Sequence, residues 1–129
     1  MTAPILIVVD VPRPEMTAND QRRWHWSKVR TAKARMETHV RTAAKRAKVP
    51  RQHEPVDLAV TWFPPDRRHR DGDSLGPFVK AAQDALVKAG VLVDDDSRYV
   101  RRVSTAIGGT DRTRPRIEIR ICPAEEANP

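Results

Sequence analysis

Hydrophobic and polar residues alternate over residues 56–63: Val56, Leu58, Val60 and Trp62 fall on one side, and Asp57, Ala59, Thr61 and Phe63 on the other. That period of two predicts a strand with one buried face. Pro64 and Pro65 end it, because proline has no amide hydrogen for a ladder. The same period returns at Ile117, Ile119 and Ile121, set between Arg116, Glu118 and Arg120. Residues 5–11 are β-branched and apolar and run into Pro12 and Pro14, which predicts a first strand. Residues 98–107 read as another. The Gly108-Gly109-Thr110 region is expected to join it to the last strand as a hairpin.

Between the first two strands the spacing becomes helical. Val29, Ala32, Met36, Val40, Ala43 and Ala47 form one stripe in a helix that starts at Thr17 or Asn19 and closes at Pro50. Trp24 and Trp26 lie near its start and are expected in a core or an interface. A second helix is predicted from an Asp73 or Ser74 cap, with Pro77 in its first turn and Gly90 at its end. A short apolar segment, residues 91–93, then delivers Asp94, Asp95 and Asp96. The order β-α-β-α-β-β predicts a small single α+β domain with a mixed sheet of about four strands and two main helices.

Length and composition fit that picture. The chain has 129 residues, 39% of them hydrophobic and 32% charged, enough for one core under a highly charged surface. Its net charge of +7 favours a polyanionic partner, nucleic acid first. The first helix concentrates that charge: over residues 28–46, Lys28, Arg30, Lys33, Arg35, Arg41 and Lys45 stand against Glu37 as the only acid. Like charges at helical spacing repel, so such a surface suits phosphate. Cys122 is alone, which predicts no internal disulfide and a reducing, cytoplasmic setting. The longest apolar run, Ile5-Leu6-Ile7-Val8-Val9, follows no basic region and is too short to span a bilayer. Neither a signal peptide nor a membrane partner is expected.

Against this basic background, acids gather at Asp71-Gly72-Asp73 and again at Asp94-Asp95-Asp96. In extended backbone Asp71 and Asp73 point the same way and repel unless a cation lies between them. A hard divalent cation with oxygen ligands suits that place, and Asp94 or Asp95 would complete its shell if the second cluster lies beside the first. Such carboxylates commonly hold Mg²⁺ for phosphodiester hydrolysis, while Arg67, Arg68, His69 and Arg70 would hold the phosphates. Taken singly, each acid has a plainer use: Asp73 as a cap, Asp94 to Asp96 as a solvated turn, Asp84 as the i,i+4 partner of Lys80. The joint pattern favours metal.

The block Pro65-Asp66-Arg67-Arg68-His69-Arg70-Asp71-Gly72-Asp73, followed by Lys80-Ala81-Ala82-Gln83-Asp84-Ala85-Leu86 and Ala89-Gly90-Val91-Leu92-Val93-Asp94-Asp95, resembles the RusA-type Holliday junction resolvases. The resemblance implies one nuclease domain over residues 1–122 with a polar tail at 123–129. It implies a homodimeric, Mg²⁺-dependent endonuclease, with Mn²⁺ as a substitute, that resolves four-way DNA junctions by paired nicks. Such enzymes work in the cytoplasm at the nucleoid and are often phage-encoded. It further implies that Asp71, Asp73 and Asp95 bind metal with Asp94 in support, and that Lys80 serves the scissile phosphate. Ser74 stands where the family usually has Asn, and Gly76-Pro77-Phe78 is inserted ahead of Lys80. Two other readings stay open: a non-catalytic nucleic-acid-binding module, and a nuclease of the same chemistry acting on flaps, forks or structured RNA.

Overall fold

A computed structural model describes residues 4–124 of the chain. The elements are β1 (Ile5–Val9), α1 (Ala18–Arg23), α2 (Trp26–Arg46), β2 (Val56–Phe63), a 3-10 turn (Gly72–Leu75), α3 (Gly76–Lys88), β3 (Val100–Ile107) and β4 (Arg116–Pro123). The four strands make one mixed sheet in the order β1-β4-β2-β3, with β4 antiparallel to both neighbours and β3 parallel to β2. Small, α+β and built around two main helices, the domain has the expected class.

The hairpin expected from β3 and β4 does not form, because β2 lies between them. Burial explains the choice. Ile117, Ile119 and Ile121 find apolar partners on both sides, Val9, Ile7 and Ile5 in β1 and Trp62, Val60 and Leu58 in β2. Only a central strand offers that. β3 is exposed from Arg101 to Ala106, which suits an edge. The connection back to β4 crosses the end of β2 at Gly108, whose amide donates to the Trp62 carbonyl at 2.7 Å. A Cβ there would come within 2.6 Å of the Phe63 ring, so the crossing requires glycine.

The single helix expected over residues 17–50 is two helices. Thr17 caps α1 in a reciprocal box with Asp20, at 3.1 and 3.2 Å. Trp24 is then extended, and His25 opens α2 with Nδ1 accepting from the Ser27 amide. That ring nitrogen satisfies one of the free amides at the start of α2, and the extended residue before it breaks the helix. Ala32, Met36, Val40 and Ala43 face the core as the spacing predicts, but Ala47 lies at the exposed C-terminus. α2 ends before Pro50, through Lys48 at φ 53° and back-bonds from Lys48 and Val49 to Lys45 and Ala44. α3 ends the same way through Gly90 at φ 78°, with Val91 bonded back to Leu86.

α2 and α3 pack on each other, and the buried core lies between them and the sheet. They run parallel: Lys33 pairs with Asp84 at 3.4 Å, and Glu37 with Lys88 at 2.9 Å. Each residue of α2 thus lies level with the residue of α3 numbered fifty-one higher. The N-termini of both helices, the 3-10 turn and α1 therefore share one end of the molecule. At the far end of β4, the Ala124 amide donates to the Pro55 carbonyl, while residues 125–129 of the expected tail lie outside the described residues.

Candidate active site

The acid loop grows out of β2. Pro64-Pro65 stops the strand, and Asp66 then gathers the backbone. Its carboxylate accepts from the Arg68 amide at 3.1 Å and from the Arg70 guanidinium at 2.6 Å. Those donors, the Arg68 amide first and Arg70 second, hold Asp66 below the ordinary carboxylate range. Arg70 also lies over the Trp62 ring at 4.7 Å and is mostly buried. This leaves Arg67, Arg68 and His69 as the exposed bases of the loop. Arg70 builds the loop from within.

Asp71 is extended, whereas Asp73 sits inside the 3-10 turn, so the uniformly extended Asp-x-Asp expected from the sequence is not formed. Both acids are exposed. Asp71 has His69 Nε2 at 3.8 Å, and its carbonyl accepts from the Ser74 amide at 3.0 Å. Gly72 packs over Thr105 of β3, where an added Cβ would lie 3.4 Å from Thr105 Oγ1. Neither Asp73 nor Ser74 caps α3. The 3-10 turn intervenes, and the Ser74 hydroxyl is buried without a hydrogen-bond partner.

The inserted Gly76-Pro77-Phe78 forms the first turn of α3, with Pro77 and Phe78 in the core. That places Lys80 one turn further on, its Nζ 3.1 Å from Asp95 and 3.3 Å from Asp84. The second acid cluster therefore does reach α3. Contact with Asp95, then Asp84, raises the Lys80 pKa, and the Lys80 ammonium holds Asp95 low against the opposing effect of its burial. Asp94 turns its carboxylate onto the Asp95 amide at 2.7 Å. Asp96 is committed to Arg98, which with the Arg98 amide lowers its pKa to about 2.

The charged groups form one chain across three elements: Lys33 in α2, Asp84 and Lys80 in α3, and Asp95 in the following turn. The i,i+4 spacing of Lys80 and Asp84 is visible in the sequence. The part of Lys33 is not, because it depends on how two helices align. Of the remaining expected nucleic-acid contacts, Lys28 lies over the Trp24 ring at 4.1 Å and Arg30 over the Trp26 ring at 5.1 Å. Trp24 packs against the core, as anticipated. Trp26 does not: it is 64% exposed.

As ligands, the acids offer oxygen alone, the donor type that a hard divalent cation takes. Among the described residues, no three His, Cys, Asp or Glu side chains already converge to hold one. Asp95 instead faces the lysine.

The family description Endodeoxyribonuclease RusA matches residues 7–122, nearly the whole of the 129-residue chain. The chain belongs to the RusA endodeoxyribonuclease family. No curated protein matches it. Membership makes this a nuclease fold, and the matched span runs from within β1 to within β4 and takes in every element between them. It also takes in the acid loop, the turn at Asp94 to Asp96 and the lysine between them. No helix among the described residues is long and apolar enough to cross a membrane.

Proposed function

We propose that this protein is a structure-selective endodeoxyribonuclease that resolves four-way DNA junctions by paired, Mg²⁺-dependent nicks and acts as a homodimer. The observation that carries the reading is the contact between Lys80 and Asp95, 3.1 Å, which ties the second acid cluster to the helix that starts at the first. In a RusA chain that contact supports a reading in which Asp71, Asp73 and Asp95 serve one site.

Mg²⁺, or Mn²⁺ in its place, would be held by Asp71, Asp73 and Asp95, with Asp94 fixing the turn that presents Asp95. When bound, such a cation supplies Lewis-acid stabilisation and a more acidic water. The residues do the rest. Lys80 stays cationic at neutral pH, because its carboxylate neighbours favour the protonated form, and it places positive charge for the nonbridging phosphate oxygens. Asp84, anchored by Lys33, keeps that ammonium near the cluster. Arg67, Arg68 and His69 are exposed beside the acids and suit the flanking phosphates. A two-fold dimer would present two such sites to opposed strands, which is the symmetry of a paired nick.

A synthetic four-way junction with Mg²⁺ tests the reading, set against linear duplex of the same sequence. Nicks at symmetric positions in the junction alone are expected. A protein that binds both and cuts neither is instead a binding module, and Mn²⁺ calorimetry would then detect no site weakened by Asp73→Asn.

A further inference from the structure

The most exposed large hydrophobic side chain of the described residues is Trp26, at 64%. It stands at the first position of α2, after the helix break at Trp24 and His25. A tryptophan carries a large apolar face, so one exposed at the basic end of a helix offers area for contact. Its neighbours are cations and an aromatic. The Arg30 guanidinium lies 5.1 Å from the ring centroid, and the His25 ring lies 5.4 Å away at a tilt.

The position of Trp26 relative to the acids follows from the helix alignment. Trp26, Arg30 and Lys33 are spaced i, i+4, i+7 and occupy one face of α2. Lys33 on that face pairs with Asp84, which pairs with Lys80, which pairs with Asp95. Lys33 lies seven residues beyond Trp26, and Asp84 four beyond Lys80. At about 1.5 Å per residue, Trp26 stands only about 4.5 Å along the helix axes from the level of Lys80. With parallel helices about 8–10 Å apart, the ring is within one or two nucleotides' reach of the candidate site. Directly across from it begins the inserted turn, where Gly76 is exposed and a Cβ would meet nothing within 4 Å. The space beside Gly76 is open.

We propose that Trp26, backed by Arg30, is a stacking platform for an unstacked base of the branched DNA engaged at the neighbouring acids. The inference rests on the nuclease reading above and adds to it a way of sensing the branch. In intact duplex every base is stacked and hydrogen-bonded, so the ring has nothing to receive. At a branch point or in single strands a base is free to stack, and every base has a face that an aromatic ring can take. The same alignment gives Arg30 a use: on the face of Trp26, it places positive charge for the phosphates beside that base.

The test is equilibrium binding by fluorescence anisotropy, with the full chain in EDTA so that no strand is cut. Its probes are a four-way junction, a single strand and a linear duplex of one sequence. Trp26→Ala should weaken junction and single-strand binding by about fivefold to a hundredfold, the range of stacking deletions, and leave duplex binding within about twofold. Trp26→Phe keeps a ring and should retain most of the affinity. Because the side chain is exposed, both variants should fold, which far-UV circular dichroism checks. Equal loss on duplex, or no loss on the junction, would overturn the inference while leaving junction cleavage by the wild type untouched. So would sedimentation showing that Trp26→Ala turns a dimer into a monomer, since the ring would then be a subunit contact. A wild type that binds junction no better than duplex would instead remove the junction-selective reading on which the inference rests.

Discussion

Lys80 faces two carboxylates at once, and that decides what its removal should do. Each pair is at least partly exposed, so each contributes only about 0–1 kcal/mol to stability. If Lys80 serves the phosphate, Lys80→Met should lower single-turnover cleavage by about 10²–10³-fold while the melting temperature moves little. A large loss of stability with unchanged cleavage would assign the lysine to structure alone. Asp96 gives a second check. The Arg98 guanidinium and amide hold its carboxyl down at about 2, below the ordinary carboxylate range, so the Asp96–Arg98 contribution is present above the unfolded value and fades as pH falls from about 4 through 2. An NMR titration of the Asp96 carboxyl carbon should show that low midpoint. A midpoint near 4 would mean that the pair does not form in solution. These acids were legible in the sequence as residues, because paired carboxylates in a basic chain are conspicuous. Their bonds were not, since Lys80, Asp84 and Lys33 meet only through the packing of separate elements.

The elements followed local pattern where one pattern governed and departed from it where tertiary context intervened. Alternation in β2 and β4 predicted both strands, because their two faces differ in burial. It did not predict their order: adjacency in sequence favours a hairpin, whereas the isoleucines of β4 gain more in the centre of the sheet. The helix break at Trp24–His25 was hidden because histidine is an uncommon cap. Lys48 marks the other end of α2, a non-glycine residue at φ 53° that carries about 1–2 kcal/mol of left-handed strain. Lys48→Gly should therefore stabilise the chain by about 0.5–1 kcal/mol net of the added chain entropy, a rise of a few degrees in melting temperature. A fall would show that the Lys48 side chain makes contacts worth more than the strain. The inserted turn of α3 is anchored from below by Phe78, 1% exposed, and Phe78→Ala should cost about 3–5 kcal/mol by denaturant titration. A cost under about 1 kcal/mol would mean that the turn is not fixed by its ring.

Taken whole, the molecule puts its N-terminal helix ends, its acid loop and its exposed tryptophan at one end, and the charge of +7 spreads over the same helices. That arrangement, in a RusA chain, supports one site in which acids and bases divide the work: carboxylates toward a cation, arginines and lysines toward phosphate. Strong salt dependence of DNA binding should accompany it. The central claim is that hydrolysis takes place at Asp71, Asp73 and Asp95. Single-turnover cleavage of a four-way junction under saturating Mg²⁺ measures it, comparing the wild type with Asp71→Asn at equal junction occupancy. The account predicts paired nicks by the wild type and a loss of at least about 10³-fold in the variant, with junction binding retained. Cleavage by Asp71→Asn at the wild-type rate would contradict it.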